Sequence, residues 1–184
     1  MTLPVNLPNI ITIARILMVP LAVWLVINQQ MLPAFLVFVL AGVSDALDGW
    51  LAKRFDMKTE LGAHLDPLAD KLLLISLFVT LAIMGHVPGW LAILVVSRDV
   101  LIVGGVVLAW FLDNPITIHP RPVSKANTAA QIAYIGAVLL WLSFGWDRIW
   151  LDWLATPLVA LLTFASGAQY LRDWLHHMNE QPAS

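Results

Sequence analysis

The sequence contains no cysteine and few charged residues. Without cysteine in its 184 residues, the chain has neither a disulfide framework nor a thiolate for nucleophilic catalysis or for binding a soft metal. Charged residues make up 12% of the chain and hydrophobic residues 60%, whereas a soluble domain has about 25% charged residues. The net charge is −2 and the basic residues are scattered, so we expect no nucleic-acid partner. The composition predicts an integral membrane protein.

The apolar residues fall into six segments, each close to the roughly 20 residues that cross a bilayer as a helix. Short connectors predict that neighbouring helices are antiparallel. We find no internal repeat and no basic region of a signal peptide before the first segment, so we expect one domain over residues 1–184. The predicted fold is an all-α bundle of six transmembrane helices. The segments cover residues 10–27, 32–52, 63–84, 88–112, 125–144 and 151–171.

The charges between the segments predict an orientation. The connections after the first, third and fifth segments contain a single basic residue, Arg148, which is accompanied by Asp147 and Asp152. By the positive-inside rule, the opposite side and both termini face the cytoplasm. The basic residues on that side are Lys53, Arg54, Lys58, Arg121, Lys125 and Arg172.

Four aspartates lie where the second apolar segment ends and the third begins. Asp45 and Asp48 are three residues apart and share one helix face, and Asp66 and Asp70, four apart, share a face of the next helix. A polar turn between the helices would bring the carboxylates together. Such a cluster needs a compensating charge, and oxygen ligands suit hard divalent ions such as Mg²⁺, Mn²⁺ or Ca²⁺. The pattern predicts a site for one or two divalent cations.

Small residues accompany the aspartates. Gly49 and Ala52 share the face of the first pair, and Gly62 shares the face of the second. They would leave one wall of the cleft as backbone, where a nucleotide or a phosphate can lie close. The alternative is that the aspartates are solvated helix ends and that the small residues serve helix packing. Two facing pairs with matched small residues favour the cation site.

These residues resemble the signature of the CDP-alcohol phosphatidyltransferase family, D-x-x-D-G-x-x-A-R followed by G-x-x-x-D-x-x-x-D, with a gap of eight residues here. Lys53 stands where the family usually has arginine, and Arg54 follows it. The charge remains, but lysine cannot make a bidentate contact. The resemblance implies a membrane enzyme of phospholipid biosynthesis that transfers a phosphatidyl group from CDP-diacylglycerol to a glycerol-type alcohol and releases CMP.

The resemblance also implies how the site works. A pair of Mg²⁺ or Mn²⁺ ions held by the four aspartates would neutralise the diphosphate, and Asp70 would act as the general base. We expect a homodimer in a bacterial inner membrane, surrounded by membrane lipids, with the active site at the cytoplasmic face.

The start of the first segment carries polar residues at helical spacing. Asn9, Thr12 and Arg15 share one side of a helix and resemble the family's N-x-x-T-x-x-R opening, which lines the cytidine-diphosphate pocket. Arg15 in an apolar segment needs an anion, a carbonyl or a water path. Alternatively, Asn9 is a helix cap and Arg15 reaches the membrane surface. The nucleotide-binding residues are therefore expected to be Asn9, Thr12, Gly49, Ala52, Lys53 and Gly62.

Basic residues further along the chain are candidates for the acceptor's phosphate. Arg98 and Asp99 lie inside the fourth segment, where a charge pair indicates function, although a salt bridge that fixes helix register is the plainer alternative. The resemblance implies that Arg98 binds the acceptor's phosphate. Arg121 and Lys125 flank the start of the fifth helix, where the backbone dipole favours an anion. They can equally be ordinary cytoplasmic charges; the resemblance favours phosphate contact, with Lys125 the better candidate.

Two questions stay open at this stage. Several stretches resemble the cardiolipin synthase branch, whose acceptor is phosphatidylglycerol, whereas the phosphatidylglycerophosphate synthase branch, with glycerol 3-phosphate as acceptor, more often has Arg-Glu in place of Arg98-Asp99. A different class, a small cation transporter, usually carries acidic residues deep in the membrane or in repeated halves. The aspartates here cluster toward one side without a repeat, which favours the enzyme.

Overall fold

The computed structural model describes the backbone of residues 7–54, 60–111, 122–147 and 149–179, and the side chains of residues 13–47, 71–105, 122–147 and 149–175. All regular structure within these residues is helical. The elements are α1 (Leu7–Ile27), α2 (Met31–Arg54), α3 (Glu60–Ile83), α4 (Gly89–Phe111), α5 (Pro122–Phe144), a π-helical turn (Leu151–Ala155) and α6 (Thr156–Asn179).

Each predicted segment corresponds to a helix, which confirms the all-α prediction. The first five agree with the observed helices to within three residues at either end. The sixth differs, because its first turn is π-helical and α6 continues to Asn179. The residues after Leu171 are more polar but include good helix formers such as Arg172. Hydropathy therefore located the apolar part of this helix but not its end.

Left-handed residues end three of the helices. Gly85 (φ 74°) follows α3 and Gly145 (φ 64°) follows α5, where glycine adopts a positive φ without a steric penalty. The next amide then bonds back into the helix, as in His86 N–H to the Leu81 carbonyl at 2.8 Å. After α1 the same conformation is taken by Gln29 (φ 60°). These caps end the helices sharply and keep the connectors short.

The chain divides into two compact units, of which the first comprises Met1–Val87 and Ile135–Asp147. In this unit α1 packs against both α2 and α3. Gly136 of α5 lies beside Phe38 of α2, since a Cβ there would be 3.5 Å from the phenyl ring. Among the side chains that the structure describes in this unit, the buried ones are apolar apart from Arg15 and Thr80, and include Ala22, Leu25, Val26, Ala34, Phe38, Leu77, Phe78 and Leu81.

The second unit comprises Pro88–Tyr134 and Arg148–Ser184. Here α4 packs against α6. The buried set in this unit is rich in polar side chains, which is unusual because a buried polar group is costly unless it is hydrogen-bonded. These residues are Arg98, Asp99, Asn127, Gln131, Thr156, Thr163 and Ser166.

Large apolar side chains also lie exposed in both units. Ile83 is 80% exposed and Trp153 is 81% exposed, which suits surfaces that face lipid. Over the described residues, Pro122–Phe144 and Leu151–Leu175 are long and apolar enough to cross a membrane. The six membrane spans and the orientation of the termini stay predictions.

Candidate functional site

The described part of the predicted cation cluster is an ion pair between α1 and α2. Arg15 Nη1 lies 2.9 Å from Asp45 Oδ1. The arginine side chain is fully buried, whereas the carboxylate side chain is 41% exposed. Arg15 therefore has the anion that its place in an apolar segment requires. An anion near Arg15 was expected from the sequence, but Asp45 was not identified as the partner.

The other cluster residues can be located by helix. Asp48, with Gly49, Ala52 and Lys53, lies near the end of α2, and Gly62, Asp66 and Asp70 lie in the first half of α3. The two helices are joined by residues 55–59, so the aspartate pairs lie on either side of one short connector. The side chains from Asp48 to Asp70 are outside the described residues. The convergence of the four carboxylates stays a prediction.

The first helix places the remaining nucleotide candidates. Asn9 and Thr12 lie in the first turns of α1, upstream of Arg15, with side chains outside the described set. The helix that carries these residues, α1, packs against both aspartate-bearing helices, α2 and α3.

A divalent cation fits what is described of this site. Asp45 has one oxygen bound to Arg15 and a side chain that is partly accessible, so its other oxygen is available as the kind of ligand that Mg²⁺ and Mn²⁺ prefer. Among the described side chains no three acidic or histidine residues form a metal-binding group. Of the four aspartates of the cluster, Asp45 is the one whose side chain is described.

Arg98 is the centre of a buried hydrogen-bond network in the second unit. Its Nη1 donates to Asp99 Oδ1 at 2.6 Å. Its Nη2 donates to Ser124 Oγ of α5 at 2.6 Å and to Ser166 Oγ of α6 at 2.7 Å, and Nε donates to Ser166 Oγ at 3.3 Å. The guanidinium thus joins α4, α5 and α6. Four donor contacts on the protein leave it little capacity for a direct ligand.

The charges of Arg98 and Asp99 compensate each other in the protein interior. Their side chains are only 4% and 7% exposed, and pairing is the condition under which buried charges are tolerated. This geometry matches the structural alternative, a salt bridge that fixes helix register. It is also compatible with Asp99 orienting Arg98.

The start of α5 supplies a different kind of cation. Lys125 is exposed in the first turns of α5, whereas Arg98 is buried. Ser124, which precedes Lys125, is held by Arg98 at 2.6 Å. Arg121 lies outside the described residues. Lys125 therefore combines an accessible charge with a position at a helix N-terminus, where anions are favoured.

The second unit also contains polar contacts that the sequence interpretation missed. Thr163 Oγ1 donates to Asn127 Oδ1 at 2.8 Å and accepts from Gln131 Nε2 at 3.2 Å. About two helical turns away, at the start of α6, the hydroxyl groups of Tyr134 and Thr156 are 2.9 Å apart. The signal was present, because polar residues recur at helical spacing along the apolar segments of α5 and α6.

Comparisons with known proteins agree with the motif. A sequence model of the family described as CDP-alcohol phosphatidyltransferase matches residues 5–165. The Oryza sativa subsp. japonica protein named CDP-diacylglycerol--glycerol-3-phosphate 3-phosphatidyltransferase 1, chloroplastic, is 34% identical over an alignment of 187 positions, which covers 90% of this chain and 57% of the rice protein. The cardiolipin synthase (CMP-forming) of Rattus norvegicus is 33% identical over an alignment of 186 positions, which covers 91% of this chain and 61% of the rat protein.

A third relative is bacterial. The Bacillus subtilis (strain 168) CDP-diacylglycerol--glycerol-3-phosphate 3-phosphatidyltransferase is 32% identical over 151 residues, covering 73% of this chain and 77% of the relative. This chain spans less than two thirds of the rice and rat proteins. Relatives named for two different acceptors are thus nearly equally similar to this chain.

Proposed function

The chain belongs to the CDP-alcohol phosphatidyltransferase family, and from this membership we propose that it transfers a phosphatidyl group from CDP-diacylglycerol to a hydroxyl group of a glycerol-type alcohol. The observation that carries the proposal is the family match over residues 5–165, which includes every aspartate of the motif. The names of the relatives from rice, rat and Bacillus subtilis support this proposal. The product would be a phospholipid, and CMP would be released.

The chemistry is a displacement at phosphorus. The acceptor oxygen forms a bond to the phosphorus that carries the diacylglycerol, and the bond from that phosphorus to the CMP oxygen breaks. Asp70 accepts the proton of the acceptor hydroxyl as general base. Asp45, Asp48, Asp66 and Asp70 would hold Mg²⁺ or Mn²⁺, which when bound supplies charge neutralisation for the diphosphate and the leaving CMP.

We place the nucleotide beside the aspartates, at the start of α1, the end of α2 and the start of α3. Small residues allow it to approach the backbone closely, and Lys53 offers a positive charge without the fork of an arginine. The residues proposed to contact it are Asn9, Thr12, Gly49, Ala52, Lys53 and Gly62.

For the acceptor we propose phosphatidylglycerol, which makes the protein a cardiolipin synthase. Arg98 is neutralised by Asp99 and bound by Ser124 and Ser166, so Lys125 and Arg121 are left as the primary phosphate contacts, with Arg98 holding the start of α5 in place. The choice of phosphatidylglycerol rests on the stretches that resemble the cardiolipin synthase branch, among them Arg98-Asp99 where the other branch more often has Arg-Glu.

Glycerol 3-phosphate is the second candidate acceptor. The rice and Bacillus subtilis relatives carry that acceptor in their names, and their identity to this chain is close to that of the rat cardiolipin synthase. Overall sequence similarity therefore does not separate the two candidate acceptors. Identifying the lipid product of the reaction does.

The membrane arrangement is part of the proposal. We propose six transmembrane helices with both termini and the site at the cytoplasmic face of a bacterial inner membrane, and a homodimer as the assembly. The exposed apolar side chains of both units and the distribution of basic residues support the membrane arrangement. CDP-diacylglycerol would then enter from the surrounding lipid with its headgroup in water.

The test is the product formed by purified protein in detergent. CDP-diacylglycerol and Mg²⁺ are supplied with phosphatidylglycerol or with glycerol 3-phosphate, and the lipids are separated and identified by mass. Cardiolipin formed with phosphatidylglycerol alone supports the proposal. Phosphatidylglycerophosphate formed only with glycerol 3-phosphate replaces the acceptor and keeps the family reaction. If neither lipid forms and CMP does not bind with Mg²⁺, the enzymatic assignment is wrong.

A further inference from the structure

Arg15 is placed to act through Asp45 and not on a ligand of its own. Its side chain is 0% exposed, so a bound nucleotide has no access to the guanidinium. The N-x-x-T-x-x-R opening is otherwise expected to line the nucleotide pocket. The Asp45 carboxylate, 2.9 Å away, is a group through which Arg15 can influence the site.

The ion pair uses one of the two carboxylate oxygens of Asp45. Nη1 of Arg15 binds Oδ1, and the Asp45 side chain remains 41% exposed. A carboxylate has two oxygens and can accept several hydrogen bonds or metal bonds. With Oδ1 bound to a buried guanidinium, the rotation of the carboxylate is restrained and Oδ2 is the oxygen left for a ligand.

We propose that Arg15 is a positioning residue for the metal site: it holds Asp45 so that this aspartate binds a divalent cation through one oxygen only. The inference rests on the proposed function, because it requires that the aspartate cluster binds a cation. Partners that orient a metal ligand affect metal affinity by roughly 10- to 100-fold when they are removed.

Two physical roles for Arg15 predict opposite results. If Arg15 were only a counter-charge, replacing it with a neutral residue would remove a positive charge close to the cation and tighten cation binding. If Arg15 positions Asp45, the same replacement frees the carboxylate to rotate and weakens binding. A lysine at this place keeps the charge, but its flexible stem and rotatable ammonium group hold the carboxylate less firmly than a planar guanidinium does, so it restores binding only in part.

The experiment is a titration of purified protein in detergent with Mn²⁺ alone, with free Mn²⁺ measured by electron paramagnetic resonance. Arg15→Met is expected to raise the dissociation constant about 10-fold or more, with Arg15→Lys in between. The control variant is Arg172→Met, which replaces an exposed arginine of α6 outside the cluster. It is expected to keep the wild-type affinity for Mn²⁺. Circular dichroism and size exclusion check folding, and Arg15→Lys serves if Arg15→Met does not fold.

The background variant Asp45→Asn shows whether the effect passes through this carboxylate. If it does, Arg15→Met changes the affinity of the Asp45→Asn protein by less than about two-fold, since interacting residues are non-additive. Unchanged or tighter Mn²⁺ binding in Arg15→Met overturns the inference, as does an equal loss in both backgrounds. If neither the wild-type protein nor the Asp48→Asn protein binds Mn²⁺, the proposed function itself is wrong.

Discussion

Arg98 on α4 and Ser166 on α6 are joined by two hydrogen bonds, because Nη2 and Nε of the guanidinium both donate to the same hydroxyl oxygen at 2.7 and 3.3 Å. The serine is only 4% exposed. Gly167, the next residue, lies beside the arginine stem, since a Cβ at that position would be 3.5 Å from Arg98 Cγ, an ordinary van der Waals contact. A buried positive charge thus depends on one small hydroxyl group for half of its four contacts.

Ser166→Ala is expected to lower the free energy of unfolding by about 1–3 kcal/mol, because buried donors of a charged group lose their acceptor. The matched control is Ser143→Ala on α5. The Ser143 hydroxyl donates to the Leu139 carbonyl of its own helix, and its loss should cost less than about 0.5 kcal/mol. Thermal unfolding of both variants in the same detergent measures the difference. Equal unfolding temperatures would contradict the role given to Ser166.

Thr163→Val should destabilise the second unit without changing its shape. Its hydroxyl group both donates to Asn127 and accepts from Gln131, and Asn127 Nδ2 already has no hydrogen-bond partner among the described residues. Valine leaves two more buried polar atoms unsatisfied, at a cost of about 1–3 kcal/mol each. Thr163→Ser keeps the hydroxyl and is the control. The account is contradicted if valine and serine give the same thermal stability.

Neighbouring glycines on α4 should respond differently to alanine. At Gly105 a Cβ would lie 3.1 Å from both Cε1 and the hydroxyl of Tyr170, while at Gly104 nothing lies within 4 Å. Gly104→Ala should stabilise by up to about 1 kcal/mol through backbone entropy. Gly105→Ala displaces Tyr170 and strains its 3.2 Å bond to the Ile102 carbonyl, so it should unfold at a lower temperature than Gly104→Ala. The reverse order would disprove this packing.

Two aspartates should separate proton transfer from metal binding. Asp70→Asn should abolish turnover and leave CMP binding largely intact, because the amide cannot accept the acceptor's proton but keeps the shape of the side chain. Asp48→Asn should weaken Mg²⁺ dependence and CMP binding together. Initial rates of CMP release and equilibrium binding of labelled CMP give the two quantities. Near wild-type turnover in Asp70→Asn would show that Asp70 is not the base.

Hydropathy and motif spacing predicted most of the fold. Apolar runs located all six helices because each run is long and is interrupted by short polar connectors. The π-helical turn at Leu151–Ala155 was missed. It depends on Thr156, whose amide and hydroxyl both bond to the Leu151 carbonyl. A single residue with this local geometry leaves no periodic signal in the sequence.

The ion pair at the site was within reach of the sequence. Arg15 lies 12 residues before the end of α1 at Ile27, and Asp45 lies 14 residues after the start of α2 at Met31. In an antiparallel helical hairpin, equal distances from the turn are opposite each other at about 1.5 Å per residue, so counting places Asp45 within two residues, about 3 Å, of the level of Arg15 and indicates it as a partner. The contacts of Arg98 with Ser124 and Ser166 could not be found by counting residues, because they depend on which faces of three helices meet.

The central claim is metal-dependent transfer from CDP-diacylglycerol, and CMP release by the wild-type protein tests it most directly. Purified protein is given CDP-diacylglycerol, phosphatidylglycerol and Mg²⁺, then excess EDTA, then Mg²⁺ again, with Asp147→Asn as a control variant outside the cluster. The account predicts that CMP release needs the acceptor, stops with EDTA and resumes with Mg²⁺ in both proteins. CMP release that continues in EDTA, or that is absent throughout with either acceptor, would contradict it.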